Sequence, residues 1–103
     1  INENDTVVVE EIKIGDNVWI GEYTSLRDAT HNFSTDKMMG TINDKHAPIL
    51  IGNNVWIGKG CIILPGTVID DNVIVAANSV VKGKLEANSL YGGTPATFIK
   101  SLS

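Results

Sequence analysis

Two histidines stand in this 103-residue chain, and one of them sits where a pattern ends. His31 closes the run Leu26-Arg-Asp-Ala-Thr-His31, and a long polar stretch begins after it. An imidazole has an unperturbed pKa of about 6.5, so its neutral form suits removal of a hydroxyl proton near neutral pH. Asp28, three residues earlier, is a candidate to orient the ring, although neighbours on a strand need not face each other. A backbone carbonyl would serve equally well. His46 precedes Ala47-Pro48 at the far end of the polar stretch and is a candidate substrate contact. A catalytic zinc of the three-histidine type needs one more histidine than the chain has, and Cys61 is its single cysteine, so no metal is expected. Taken alone, a histidine is ordinarily structural. The surroundings of His31 are what single it out.

Those surroundings are a repeat. Ile14-Gly-Asp-Asn-Val-Trp-Ile-Gly21 recurs almost letter for letter as Ile51-Gly-Asn-Asn-Val-Trp-Ile-Gly58. Aliphatic residues recur every six positions at Ile14, Ile20 and Leu26, and again at Ile51, Ile57, Ile63, Ile69, Val75 and Val81. Four places after each stands a small or branched residue: Val18, Thr24, Thr30, Val55, Cys61, Thr67, Val73 and Ser79. A period of six fits neither a helix face nor a simple alternating strand. It fits short strands joined by tight turns, three to a coil of about eighteen residues. The aliphatic residue points inward, and the polar pairs Asp16-Asn17, Asn53-Asn54 and Asp71-Asn72 make corners, where Asn and Asp tolerate turn conformations. This frame predicts coils over 14–31, 51–68 and 69–86.

Outside the frame, Thr6-Val-Val-Val9 has strand propensity and reads as the last strand of an earlier coil. The chain starts at Ile1, which reads as a possible truncation at the N-terminus. From about 32 to 48 the repeat stops, and a loop of that length in so small a domain is usually functional or disordered. After Val81 the frame decays through Lys82-Gly83-Lys84. Over about 87–103 a capping segment is expected. Thr94 would cap a short helix with Pro95 at its first position, and Phe98, Ile99 and Leu102 would give that helix an apolar side against the open end of the coil.

The repeats, Ala29-Thr30-His31 ahead of a long loop, the phrase Ile51–Gly58 and then Gly92-Gly93-x-Pro95-Ala96 occur in one order. In that order they resemble the maltose/galactoside O-acetyltransferase-like group of hexapeptide-repeat acyltransferases, from about Ile12 to Lys100. The resemblance implies an all-β fold, a left-handed parallel β-helix with a long excursion loop and a short C-terminal helix. It also supplies the hand, because crossovers are usually right-handed. It makes residues 1–103 one β-helix domain and His31 the general base of an acetyl-CoA-dependent O-acetyltransferase that transfers directly to a hydroxyl of a sugar or similar molecule. A backbone N–H near the second coil would stabilise the oxyanion.

By the same resemblance the pantetheine arm lies in a groove between subunits, lined by Trp56, Gly58, Lys59 and Ala77. Trp56 also reads as a surface aromatic stacked on Trp19. Lys82 and Lys84 would meet the cofactor's phosphates, or else form a solvated surface pair. The basic residue that commonly follows Pro-Ala is Thr97 here, which removes one expected phosphate contact. Asn2, with Asn4, resembles an Asn-x-Asn that sugar acetyltransferases carry near this point, and Asn2 is a candidate acceptor contact. A homotrimer with sites between subunits is implied. Three other readings stay open: N-acetylation of an amino sugar, a γ-carbonic-anhydrase-like metalloprotein, and a catalytically silent β-helix scaffold.

Composition narrows the partners. With 8 basic and 12 acidic side chains, net −4, and no basic run, nucleic acid is not expected. Apolar runs such as Cys61-Ile-Ile-Leu64 are far too short for a membrane span. A single cysteine and no visible signal peptide point to a cytoplasmic setting.

Overall fold

A computed structural model describes residues 11–27, 29–32 and 43–103. The six-residue period produces strands of two or three residues that turn a corner and recur one coil later. Strands β1 (Ile12–Ile14), β2 (Trp19–Ile20) and β3 (Ser25–Leu26) form the first coil. After a ribbon of β4 (Ala29–Asn32) and β5 (Asn43–His46), strands β6 (Ile49–Ile51), β7 (Trp56–Ile57) and β8 (Ile62–Ile63) form the second. The third holds β9 (Val68–Ile69), β10 (Val73–Val75) and β11 (Val80–Val81). Then β12 (Lys84–Leu85), β13 (Ser89–Gly93) and β14 (Ala96–Ser101) close the chain. Like strands pair in parallel to give three sides: β1-β6-β9-β12, then β2-β7-β10-β13 with β14 beyond it, and β3-β8-β11. This is a three-sided parallel β-helix, the all-β coil expected from the repeat.

The inward positions stack in register. Ile14, Ile51, Ile69 and Leu85 form one column, and Ile20, Ile57, Val75 and Tyr91 another. Ile57, Ile63, Ile69 and Val81 are fully buried, and so are the smaller Val55, Cys61, Thr67, Val73 and Ser79 that the frame placed inward. Each such aliphatic side chain stabilises the fold by about 1.5–3 kcal/mol on burial. The first corner is Asn17, Asn54, Asn72 and Asn88, all left-handed with φ between 57° and 58°. Asn tolerates that conformation, and the polar residue just before each corner asparagine ties coils together: Asp16 N–H donates to Asn53 Oδ1, and Asn53 N–H to Asp71 Oδ1, both at 2.7 Å.

Three expectations are corrected. First, the frame does not decay after Val81. It slips by two residues at Gly83, where φ is +80°, and resumes with buried Leu85 and Tyr91. The shortened turn still closes the ladder, since Val68 N–H donates to Gly83 O and Asp70 N–H to Leu85 O. Second, the C-terminal segment is a strand, not a helix. β14 runs antiparallel to β13 with Gly93 opposite Ala96, so Thr94 and Pro95 form the turn. The open edge of β13 presents backbone groups that a strand satisfies and a helix does not, and Thr97-Phe-Ile99 has strand propensity. Phe98 stands edge-on to Tyr91 with ring centroids 5.9 Å apart, yet Phe98, Ile99 and Leu102 remain largely exposed. Third, Ala29–Asn32 does not complete the first coil. The ladder follows that coil as far as Arg27, whose N–H donates to Ile63 O, and Thr30 pairs with Lys45 in the ribbon. Thr6–Val9 and most of the expected excursion loop lie outside the described residues.

Candidate active site

The ribbon springs from the corner between the third and first sides of the first coil. Its antiparallel register sets His31 opposite Asp44 and Ala29 opposite His46, so positions 31 and 46 are diagonal neighbours. The sequence offers Asp28 as partner for His31; the register opposite position 31 falls on Asp44, and an antiparallel pairing across a dozen residues cannot be read from a six-residue period. Asn2 and Asp28 lie outside the described residues, as do the side chains of His31 and His46.

The corner between the second and third sides gathers the expected cofactor-lining residues. Gly58 follows β7 at a place where a Cβ would stand 2.7 Å from the Ala77 nitrogen and 2.8 Å from its Cα. Only glycine lets the two coils approach that closely. Lys59 and Ala77 are therefore adjacent on the outer edge, both exposed. Inside, Thr24 Oγ1 donates to Gly58 O at 2.9 Å and accepts from Cys61 N–H at 3.1 Å. Cys61 Sγ and Ser79 Oγ both donate to Ala76 O, at 3.2 and 2.7 Å, and Ser79 Oγ accepts from Gly93 N–H. These inward residues, chosen at first sight for size, fasten the corner by its carbonyls. The amides of Lys59 and Ala77 make no hydrogen bond among the described residues, which leaves them as donors on the outer edge.

Trp56 points outward from β7, directly above Trp19 in the ladder. Their indoles are 55% and 66% exposed and wall an open apolar depression of about 370 Å³, so they bracket a space rather than filling it against each other. Lys82 and Lys84 belong elsewhere, flanking Gly83 at the corner between the third and first sides of the last turn. Lys84 Nζ sits 3.8 Å from Asp70 Oδ2, an exposed pair. Among the described residues no group of three or more His, Cys, Asp or Glu gathers as a metal site, and no helix is long and apolar enough to cross a membrane.

Residues 48–83 match the bacterial transferase hexapeptide model of six repeats. The chain is similar to the galactoside O-acetyltransferase of Escherichia coli K12, 35% identical over 104 residues that take in 99% of this chain and 50% of that one. Among solved structures, a galactoside acetyltransferase in complex with coenzyme A superposes with a TM-score of 0.82 at 34% identity, covering 89% of this chain and 46% of the other. A hexapeptide-repeat containing acetyltransferase of Vibrio cholerae O1 biovar eltor, complexed with acetyl coenzyme A, gives 0.83 at 38%, covering 89% and 50%. The chain thus spans about half the length of the proteins it matches. The left-handed coil of the hexapeptide proteins fits the three parallel sides described above.

Proposed function

We propose that this chain, which belongs to the hexapeptide-repeat acyltransferase family, carries an acetyl-CoA-dependent O-acetyltransferase site for the hydroxyl of a sugar or similar small molecule. The observation that carries this reading is the corner of Gly58, Lys59 and Ala77 beside Trp56. It is a backbone corner whose Lys59 and Ala77 amides make no hydrogen bond among the described residues, in a fold that superposes on two coenzyme A complexes.

The pantetheine arm lies along that edge, its amides bonded to the backbone of successive coils. His31 takes the proton of the acceptor hydroxyl as the oxygen attacks the thioester carbon. The C–O bond forms, the carbonyl oxygen becomes an oxyanion, and a backbone N–H of the second coil stabilises it. Collapse breaks the C–S bond, and the imidazolium returns its proton to the leaving thiolate. No protein nucleophile is needed. Asp28 or a backbone carbonyl orients the imidazole, and Asn2 and His46 contact the acceptor. Lys82 and Lys84 serve the cofactor's phosphates, Lys84 by leaving Asp70. Chains associate as homotrimers with sites between subunits, an arrangement supported by the apolar outward residues Trp19, Leu50, Trp56 and Ile62 on two coils.

Thiol release from acetyl-CoA against a panel of hexoses, hexosides and amino sugars tests the reading. Saturable turnover with a hydroxyl acceptor is expected. Turnover confined to amino groups would move the assignment to N-acetylation, and no turnover together with no acetyl-CoA binding would leave a scaffold.

A further inference from the structure

The second corner repeats a left-handed residue in each coil: Tyr23 at φ 65°, Gly60 at 70° and Asn78 at 62°. Gly and Asn are the residues such a position favours, whereas a bulky aromatic there is strained. Tyr23 is also 89% exposed, so no packing of its ring within the chain offsets that strain. Strain held at an exposed aromatic points to a contact made outside the fold. Four residues earlier on the same coil stands Trp19, walling with Trp56 the apolar depression. Between them lies exposed Glu22, whose backbone O accepts from Gly60 N–H.

We propose that Trp19, Glu22 and Tyr23 form the subsite that grips the sugar ring of the acceptor, with Trp56 as the wall shared with the cofactor. This rests on the acetyltransferase reading above and adds residues to it. The chemistry selects the ligand. Indole and phenol faces take the C–H face of a pyranose, and a carboxylate accepts hydrogen bonds from its hydroxyls. Glu22 disfavours a phosphate directly beside Tyr23, although Lys13 and Arg27 share the first coil and Lys59 stands at the same corner one coil on, while Lys82, Lys84 and Lys100 lie at the last turn. On this placement the acceptor lies against the second side of the first coil, and the ribbon that bears His31 leaves the same coil one side further on.

Trp19 and Trp56 are the chain's two tryptophans, so intrinsic fluorescence reports on this subsite and on the wall it shares with the cofactor, which the separate titrations tell apart. The test is a titration with methyl galactopyranoside, methyl glucopyranoside and, separately, coenzyme A, on the unmodified protein and on Tyr23→Asn. A saturable change with a pyranoside is expected. In Tyr23→Asn the pyranoside should bind about two- to tenfold more weakly, the loss of one aromatic contact. Coenzyme A affinity should hold, and the melting temperature should be equal or higher, since Asn fits the corner. Fluorescence that answers coenzyme A and no pyranoside, or pyranoside binding unaltered in Tyr23→Asn, would overturn the proposal. Pyranoside binding without thiol release from acetyl-CoA would sink the acetyltransferase reading and leave this subsite standing.

Discussion

The phrases at residues 14–21 and 51–58 differ by one letter, Asp16 against Asn53, and lie in register on adjacent coils. They are nevertheless different places. Ile51 is 4% exposed and Ile14 is 47% exposed, because Ile51 has a described coil on each side and Ile14 on one. The same local sequence builds the same local backbone, and its energetic worth comes from what stacks on it. What the first coil keeps open, its outer aromatics and the ribbon that leaves it, is where the chemistry is proposed. The second coil is the rigid wall behind it.

The largest expected effect tests that division. Ile51→Ala should destabilise by about 3 kcal/mol or more, as large-to-small changes in a packed core do, whereas Ile14→Ala should cost less than half of that. Urea unfolding of the two variants measures both, and equal losses would break the distinction. The corners make the opposite prediction. A Cβ at Gly21 would stand 2.6 Å from the Lys59 nitrogen, much as one at Gly58 would meet Ala77, so the clash is shared by both coils. Gly21→Ala and Gly58→Ala should each cost about 1–3 kcal/mol, read from the same unfolding curves. Smallest and opposite in sign, Tyr23→Asn should stabilise by about 1 kcal/mol, because Asn relieves a left-handed Tyr. Calorimetry showing destabilisation would mean that Tyr23 supports the coil.

How much of this was legible in the sequence follows the same line. The coil was, because its cause is local: an aliphatic residue every sixth place, Val, Thr, Cys or Ser four places on, and Asn17, Asn54 and Asn72 at left-handed corners. The slip at Gly83 was not, since the loss of two residues at a corner looks like decay until Leu85 and Tyr91 are seen stacking on Ile69 and Val75. Pro95 misled for a related reason. A Thr-Pro pair fits a helix start and a hairpin turn alike, and the unpaired edge of β13, a tertiary fact, decides between them. At the site, Gly58, Lys59 and Ala77 came from the family resemblance, and the close approach of Gly58 to Ala77 brings them together at one corner. The pairing of His31 with Asp44, and the tie from Thr24 to Gly58, cross the chain in ways that no period encodes.

The central claim is that His31, on the ribbon that interrupts the repeat, is the base for acetyl transfer. Its most direct test is His31→Ala, assayed for acetyl-CoA turnover with a saturating sugar acceptor and, in parallel, for acetyl-CoA affinity and melting temperature. A fall in kcat of about 10²-fold or more, with affinity and melting temperature unchanged, is the predicted result, as loss of a general base should give. Turnover that survives the substitution intact would contradict it.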